Sequence, residues 1–286
     1  MALATIPLAF IGNLFAVIFA YIIGGICGIG VMIQLAYESC FAVPRRVRDV
    51  KPKILDQLDF EHGFLRVPTY HGFKNESEPL RDSEIRLHYV AAGEPGRPLM
   101  LFIHGFPDLW FGWRHQLQHF RSHFRVVAID NRGYGESDKP TDRRAYTLPL
   151  LVRDVRSVIQ QMGYEKCILV GHDWGGLISW TFAAVFPEMV DLLIVMNCPH
   201  PLAFSRMPFG DLIRQFFKSW YIFFFQLPYL PERMFLSNDL YRVEAMLTQP
   251  PLCRTPSAVT PKKWKYTSII WGKTVLCGRS SITTAT

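Results

Sequence analysis

One aspartate stands where a tight turn could hold it as a nucleophile. The segment GHDWGG, residues 171–176, follows a short apolar run and precedes a helical pattern, with Asp173 at its centre. Small residues on both sides allow a turn too tight for larger side chains, and that turn lifts the central residue above the strand end. A carboxylate is ionised at neutral pH but weakly nucleophilic, so it suits an electrophilic sp³ carbon, as in an epoxide or a haloalkane. The alternative is that Asp173 only caps the helix.

A second motif predicts hydrogen-bond donors for the same site. The segment HGFP, residues 104–107, ends an earlier apolar run. Beside a nucleophile elbow, an oxyanion hole is built from backbone N–H groups after such a strand and after the nucleophile. These are the N–H groups of Phe106 and Trp174. We expect His104 to hold loop backbone rather than to act as a base. We expect residues 130–138, DNRGYGESD, to form a fixed loop beside the site.

Apolar runs alternate with helical patterns from residue 85 onward. The predicted strands are 85–91, 99–103, 125–129, 167–170 and 192–196, and the predicted helices are 108–122, 147–162 and 174–186. This alternation predicts βαβ units, and therefore an α/β fold with a mostly parallel sheet and helices on both faces. Ligands bind beyond the carboxyl ends of such strands, which is where both motifs fall.

The N-terminal segment predicts a membrane anchor. No charged residue occurs between Ala2 and Tyr37, and residues 6–35 are nearly all apolar, which is long enough to cross a bilayer. A cleaved signal peptide is the alternative, but it should have a basic start and a short apolar core. The basic residues that follow are Arg45, Arg46, Arg48, Lys51 and Lys53. They favour a cytosolic domain, whereas the sequon at Asn75 would be used only on the lumenal side, so the orientation stays open.

Charge and cysteine content exclude other classes of protein. The net charge is +7, but residues 245–286 contain six Lys or Arg and no acidic residue. The rest of the chain is therefore near neutral, and it offers no basic face that would predict nucleic-acid binding. The six cysteines include no CxxC pair, so the sequence predicts neither a disulfide framework nor a zinc site.

Taken together, these motifs resemble one branch of a known superfamily. HGFPDLWFGWRHQL, DNRGYGESDKP and GHDWGG, in this order and spacing, are similar to the epoxide hydrolase branch of the α/β-hydrolase superfamily. The anchor and the stretch FKSWYIFFFQLPYLPE favour the membrane-anchored group, epoxide hydrolases 3 and 4, and the resemblance runs to about residue 241. It implies an α/β-hydrolase fold with a helical cap, and no metal or cofactor. It also implies a small apolar epoxide and membrane lipid as partners, a role in lipid metabolism and location at the endoplasmic reticulum.

The resemblance also implies a mechanism. In that family the elbow aspartate attacks an epoxide carbon to form an ester, and two cap tyrosines protonate the epoxide oxygen. A histidine oriented by an acidic residue then activates water. By motif, Asp173 is the nucleophile and Tyr221, before the Phe-Gln of the cap stretch, is the first cap tyrosine. On pattern alone, residues 210–227 form one aromatic-rich helix in which Tyr221 could equally belong to the core.

The C-terminal part departs from the family pattern. No histidine follows His200 and no acidic residue follows Glu244, so the late acid and base, and the second cap tyrosine, are missing. Residues 245–286 are rich in Ser and Thr without periodicity, which is typical of a divergent end in a shortened isoform or gene model. The predicted organisation is an anchor (1–38), a linker and entry to the fold (39–84), an α/β-hydrolase core (85–199), the start of a helical cap (200–244) and a divergent, poorly ordered tail (245–286). The fold is thus expected to be incomplete at the C-terminus.

Three functions remain open at this point. The first is an epoxide hydrolase that opens apolar, lipid-like epoxides through an Asp173 ester, with turnover impaired by the missing acid and histidine. The second is a catalytically inactive, truncated membrane protein. The third is a hydrolase resembling haloalkane dehalogenases, which share the elbow aspartate and the tryptophan after it. Tyr221 and the anchor favour the epoxide over the halide.

Overall fold

The computed structural model describes residues 21–36, 58–70, 79–236 and 246. Its strands are β1 (Glu61–Tyr70), β2 (Pro79–Ala92), β3 (Leu99–Ile103), β4 (Arg125–Ile129), β5 (Cys167–His172) and β6 (Val190–Met196). They form one sheet in the order β1-β2-β4-β3-β5-β6. The pairs β1–β2 and β2–β4 are antiparallel, whereas β4, β3, β5 and β6 run parallel. The predicted, mostly parallel sheet is therefore present.

The helices lie before the sheet, between its parallel strands and after β6. They are α1 (21–36), α2 (Arg114–Phe120), α3 (Leu148–Gln161), α4 (Trp174–Val185), α5 (Pro201–Ser205), α6 (Phe209–Lys218), α7 (Trp220–Phe224) and α8 (Leu230–Leu236). A 3₁₀ turn, Trp110–Trp113, precedes α2, so the predicted helix over 108–122 is in fact two shorter pieces. We call α5–α8 the cap.

Two apolar layers cover the two faces of the sheet. In β3, Leu101 and Ile103 pack into the layer that includes α3 and α4, while Met100 and Phe102 pack into the layer around Trp113. Side chains alternate between faces along a strand, so a strand buried on both faces is apolar throughout. This is why the continuous runs of β3 and β4 were predicted with their observed bounds.

The sheet begins earlier than the sequence predicted. β1 lies inside residues 39–84, which were predicted as a linker and entry to the fold, and β2 begins before residue 85. In β1 only alternate side chains turn inward: Val67 is buried, whereas Phe64 is exposed. Pro68 also interrupts the pattern, which an edge strand tolerates because half of its N–H groups have no partner in the sheet. Within this segment, the residues that the structure describes contribute β1 and the first part of β2 to the sheet.

The predicted single helix over 210–227 is wrong, because the chain breaks at Ser219 between α6 and α7. The Nε2 atom of Gln215 donates to Oγ of Ser219 at 2.9 Å, and the Ser219 N–H donates to the Gln215 carbonyl oxygen at 2.9 Å. The backbone of Ser219 has a φ of −103° and a ψ of 19°, which depart from helical values. The break turns Tyr221 into the second residue of a short helix of its own.

The described part of the predicted anchor is α1. Within the segments that the structure describes, no helix combines the length and the apolar character needed to cross a membrane. The rest of the predicted anchor, residues 1–20 and 37–38, lies outside the described residues. The predicted tail, 245–286, also lies outside them apart from Met246.

Candidate active site

Asp173 occupies a strained turn between β5 and α4. Its φ of 54° and ψ of −120° lie where side-chain-bearing residues are rare, at a cost of about 1–3 kcal/mol. Two motif glycines make the turn possible, because a Cβ on Gly175 would collide with the Ile103 carbonyl oxygen and one on Gly171 would lie 2.5 Å from the Gly175 carbonyl oxygen. Strand and helix therefore approach more closely than any side chain would permit, as the elbow motif predicted.

The carboxylate of Asp173 faces the predicted oxyanion hole. The backbone N–H of Phe106 donates to its Oδ1 atom at 2.9 Å. A Cβ on Gly105 would collide with the Cβ of Asp173, so this approach also needs a glycine. Trp174 is the first residue of α4, and a backbone N–H at that position has no acceptor within its helix. The positive end of the helix dipole adds to the attraction for negative charge. Phe106 and Trp174 thus lie where an oxyanion could be held, and their roles stay predictions.

His104 holds loop backbone with both ring nitrogens. Its Nδ1 atom lies 2.8 Å from the Gly105 carbonyl oxygen, and its Nε2 atom accepts the backbone N–H of Asn131 at 3.0 Å. Since Nε2 accepts a hydrogen bond, the ring is the neutral tautomer that carries its proton on Nδ1. A ring occupied in this way has no nitrogen left to act as a base, in agreement with its predicted structural role.

The loop after β4 is fixed by the buried carboxylate of Asp130. It accepts hydrogen bonds from the backbone N–H groups of Trp110 at 3.0 Å and Glu136 at 3.1 Å, and it lies 2.9 Å from Nδ1 of His88. Burial alone would raise the pKa of Asp130, but the hydrogen bond and charge of His88 hold it below its usual value. The loop is therefore scaffold, as predicted, and it ties the turn after HGFP to β2.

Tyr221 lies close enough to the elbow for its titration to depend on Asp173. The side chain is 40% exposed, and its ring lies 5.9 Å from that of Phe225. Partial burial raises the pKa of Tyr221, and the negative charge of Asp173 raises it further. The phenol therefore keeps its proton at neutral pH, which a proton donor requires. The charge of Asp173 thus acts on the predicted cap tyrosine, and the catalytic roles of both residues stay predictions.

Two residues near the nucleophile were not singled out from the sequence. Tyr134 packs against the His104 ring at 4.9 Å, and burial followed by the charge of Asp173 raises its pKa. Cys198 follows β6, and burial followed by Asp173 raises its pKa as well. Both follow the ends of parallel strands, and that position was the signal available. Nothing in their residue types distinguished them from other loop residues.

An aromatic cluster covers the site. The ring of Phe106 lies 5.3 Å from the rings of both Phe225 and Phe235. These rings belong to a buried cluster with Phe224 and with Val31 of α1. The residue whose N–H holds Asp173 therefore also contacts the cap through its side chain.

Comparison with known proteins supplies the family. A family model described as the alpha/beta hydrolase fold matches residues 98–283, a range that includes most of the segment predicted as divergent. Epoxide hydrolase 4 of Mus musculus is 49% identical over 172 residues, which are 59% of this chain and 47% of that protein. Epoxide hydrolase 3 of Xenopus tropicalis is 44% identical over 188 residues, 66% of this chain and 47% of the relative.

Solved structures show the same likeness. The crystal structure of the Bacillus megaterium epoxide hydrolase with an inhibitor has a TM-score of 0.61 at 34% identity, covering 70% of this chain and 66% of that one. An epoxide hydrolase from Vigna radiata has a TM-score of 0.61 at 29% identity, covering 77% and 69%. The chain spans about half the length of the curated relatives it matches. It belongs to the α/β-hydrolase family, and within that family it is similar to proteins named epoxide hydrolases.

Proposed function

We propose that this site opens epoxides, with Asp173 as the nucleophile and Tyr221 as the proton donor. The observation that carries the proposal is the elbow carboxylate, held at Oδ1 by the Phe106 N–H and lying within the electrostatic reach of a protonated tyrosine. Neither a helix cap nor a buried core tyrosine would need that arrangement. The names of the relatives support the same chemistry.

Opening of the epoxide forms one bond to carbon and breaks one. Oδ2 of Asp173 attacks a ring carbon of the epoxide, the bond from that carbon to the ring oxygen breaks, and the oxygen takes the phenol proton of Tyr221. Oδ1, the atom that accepts the Phe106 N–H, becomes the carbonyl oxygen of the ester. Tyr221 recovers its proton from water. The product is a hydroxyalkyl ester on Asp173 that carries the whole mass of the epoxide.

The proposed substrate is apolar. Phe106, whose N–H holds Asp173, contacts the cap through the rings of Phe225 and Phe235, and these rings carry no hydrogen-bond donor for a polar chain. An apolar or lipid-like group attached to the epoxide would pack there, since aromatic side chains bury large apolar areas.

Hydrolysis of the ester needs a base, and the histidines around the site contact other groups: the ring of His172, next to the nucleophile, lies 6.5 Å from that of Trp113. His104 uses both nitrogens on backbone, and His88 is bound to Asp130. His200 accepts the Leu202 N–H at 3.2 Å and packs against Trp180, with the ring centroids 4.7 Å apart. No histidine follows His200 in the sequence. We therefore propose that these 286 residues form the ester but do not release diol in steady state.

Mass spectrometry tests this proposal directly. The full chain is incubated with a long-chain terminal epoxide, and the peptide containing Asp173 should gain the mass of one intact epoxide. Asp173→Ala should gain none, and diol should stay below one equivalent per chain. Absence of the adduct would overturn the epoxide chemistry, whereas sustained diol release would overturn the single-turnover proposal. A parallel incubation with an apolar alkyl halide tests the dehalogenase alternative, whose adduct would equal the halide less HX.

We also propose that residues 1–38 attach the chain to a membrane at the endoplasmic reticulum, with the catalytic domain in the cytosol and the exposed isoleucine face of α1 against lipid. The uncharged stretch 2–37 and the basic cluster after it support this topology. Expressed with microsomes, the chain should resist carbonate extraction, and endoglycosidase should leave its gel mobility unchanged. Extraction would contradict the anchor. A mobility shift that Asn75→Gln abolishes would place the domain in the lumen.

A further inference from the structure

Helix α1 has one covered face and one open face. Gly24, Gly28 and Val31 are buried, and their spacing of four and three residues places them on one side of the helix. The isoleucines of the opposite side are exposed: Ile22, Ile26, Ile29 and Ile33. The covered side packs on the cap, where Val31 joins the cluster of Phe224, Phe225 and Phe235.

Two glycines of α1 touch the cap directly. A Cβ on Gly24 would lie 2.6 Å from the backbone carbonyl oxygen of Phe223 in α7. A Cβ on Gly28 would lie 2.8 Å from a methyl group of Leu227 and 3.0 Å from one of Leu230. The helix has two further glycines, at positions 25 and 30, and a Cβ on either would meet nothing within 4 Å. Close packing therefore needs glycine at the first two positions only.

A short series of ring contacts connects the packing of α1 on the cap with the residues proposed to react. The Phe225 ring, in the cluster that Val31 helps to bury, lies 5.3 Å from the Phe106 ring and 5.9 Å from the Tyr221 ring. Phe106 in turn holds Asp173 through its N–H. The Phe225 side chain, which is buried in part by α1, thus contacts both Phe106, which holds Asp173, and Tyr221, the proposed proton donor.

We propose that α1 is a wall of the cap and that Gly24 and Gly28 are positioning residues for the reaction. Their close approach sets the position of Phe225, and through it the positions of Tyr221 and Phe106 relative to Asp173. The inference rests on the proposed function for its chemistry, and it goes beyond that function, because a helix serving only as a tether would be indifferent to its glycine face.

Neighbouring glycines give a matched experiment. Gly24→Ala and Gly25→Ala each add one methyl group to the same turn of the same helix, but only the first displaces cap backbone. In the full chain in detergent, ester formation is followed against epoxide concentration. Gly24→Ala should lower the maximal rate by about tenfold to a hundredfold, since a displacement near 1 Å has effects of that order. The half-saturating concentration should change little, and Gly25→Ala should behave as wild type.

The second glycine pair gives a graded response. Gly28→Ala should slow ester formation less than Gly24→Ala does. The added methyl group meets leucine side chains, which can move aside, whereas at Gly24 it meets a backbone carbonyl, which cannot. Gly30→Ala should have no effect. Hydrogen exchange provides an independent measurement: Gly24→Ala should speed exchange in the peptide 219–236 and leave the core peptide 167–185 unchanged.

Each outcome decides one of the two proposals. A wild-type chain that forms no ester overturns the proposed function. A wild-type chain that forms ester, with Gly24→Ala and Gly25→Ala at equal rates, overturns the positioning role while the function stands. If Gly24→Ala also speeds hydrogen exchange in the core peptide, that variant has misfolded, and the comparison of Gly28→Ala with Gly30→Ala decides instead. Equal rates of ester formation in these two variants contradict the inference. A slower rate in Gly28→Ala supports it.

Discussion

The elbow and the cap hold their reactive groups in different ways. At the elbow, Gly175 lies against the backbone of Ile103, and Asp173 is bound by a directional N–H bond from Phe106. In the cap, Tyr221 is 40% exposed, and its ring packs against the apolar ring of Phe225. Backbone contact and directional bonds fix a position sharply, whereas apolar ring contacts allow sliding at low cost. The proposed nucleophile is therefore held locally, and the position of the proposed proton donor depends on apolar packing in the cap.

The largest effect on the rate of ester formation should come from a change in the cap, which is the more loosely packed of the two regions. Tyr221→Phe removes the proposed proton donor and should slow ester formation by about 10²- to 10⁴-fold. The free energy of unfolding should change by less than about 0.5 kcal/mol, since the side chain is partly exposed. The control is Tyr229→Phe, which removes a hydroxyl from a cap residue that is 73% exposed and should leave the rate unchanged. Equal rates in the two variants would remove Tyr221 from the mechanism.

A methyl group in the elbow should cost stability instead. Gly175→Ala should lower the free energy of unfolding by about 3 kcal/mol, because its Cβ meets the carbonyl oxygens of Ile103 and His104, which cannot move independently of β3. Gly176→Ala is the adjacent control: its Cβ meets the side chains of Cys198 and Val195 and should cost about 1 kcal/mol. Urea unfolding followed by tryptophan fluorescence measures both. Equal losses would mean that the elbow backbone is not the rigid element.

The scaffold beneath the elbow should show a specific pH dependence. His88→Ala leaves the Asp130 carboxylate buried without its ring partner and should cost about 3 kcal/mol at pH 7. In the native protein the pKa of Asp130 lies below its unfolded value of about 3.9. Its contribution is therefore present above that pH and is lost as the pH falls through the folded-state pKa.

Removing His88 takes away a cause that lowers this pKa. Unfolding of His88→Ala should consequently begin at a higher pH than that of the native chain during acid titration. His123→Ala, a change at an exposed position, should leave the acid transition where it is. A transition at the native pH in His88→Ala would show that another group sets the acid stability of this loop.

The part of the site that the sequence could predict is the part fixed by near neighbours. Asp173, Phe106 and Trp174 follow from two short motifs at strand ends, because glycine spacing alone dictates the turn. The bounds of β3 and β4 follow from uninterrupted apolar runs. In each case the information lies within a few residues of the feature.

What the sequence could not predict depends on partners far along the chain. β1 is a strand because β2 pairs with it, and its own pattern is mixed. The packing of α1 on α7 joins residues about 200 positions apart, as Gly24 and Phe223 show. No short sequence pattern predicts a contact between residues so far apart in the chain.

The variant with the smallest expected effect tests whether α6, like the rest of the cap, is loosely packed. Gly210 is the second residue of this helix, and a Cβ there would meet nothing within 4 Å. Gly210→Ala should therefore stabilise the chain by about 0.5 kcal/mol, because alanine loses less backbone entropy in a helix and the gain is diluted near a helix end. The rate of ester formation should equal that of wild type, in contrast with Gly24→Ala, which adds the same methyl group where the cap has no space for it. Thermal unfolding and the ester assay measure the two quantities on one sample. Slower ester formation in Gly210→Ala would mean that α6 also contacts the reacting groups. The elements that position Tyr221 would then include α6 as well as α1.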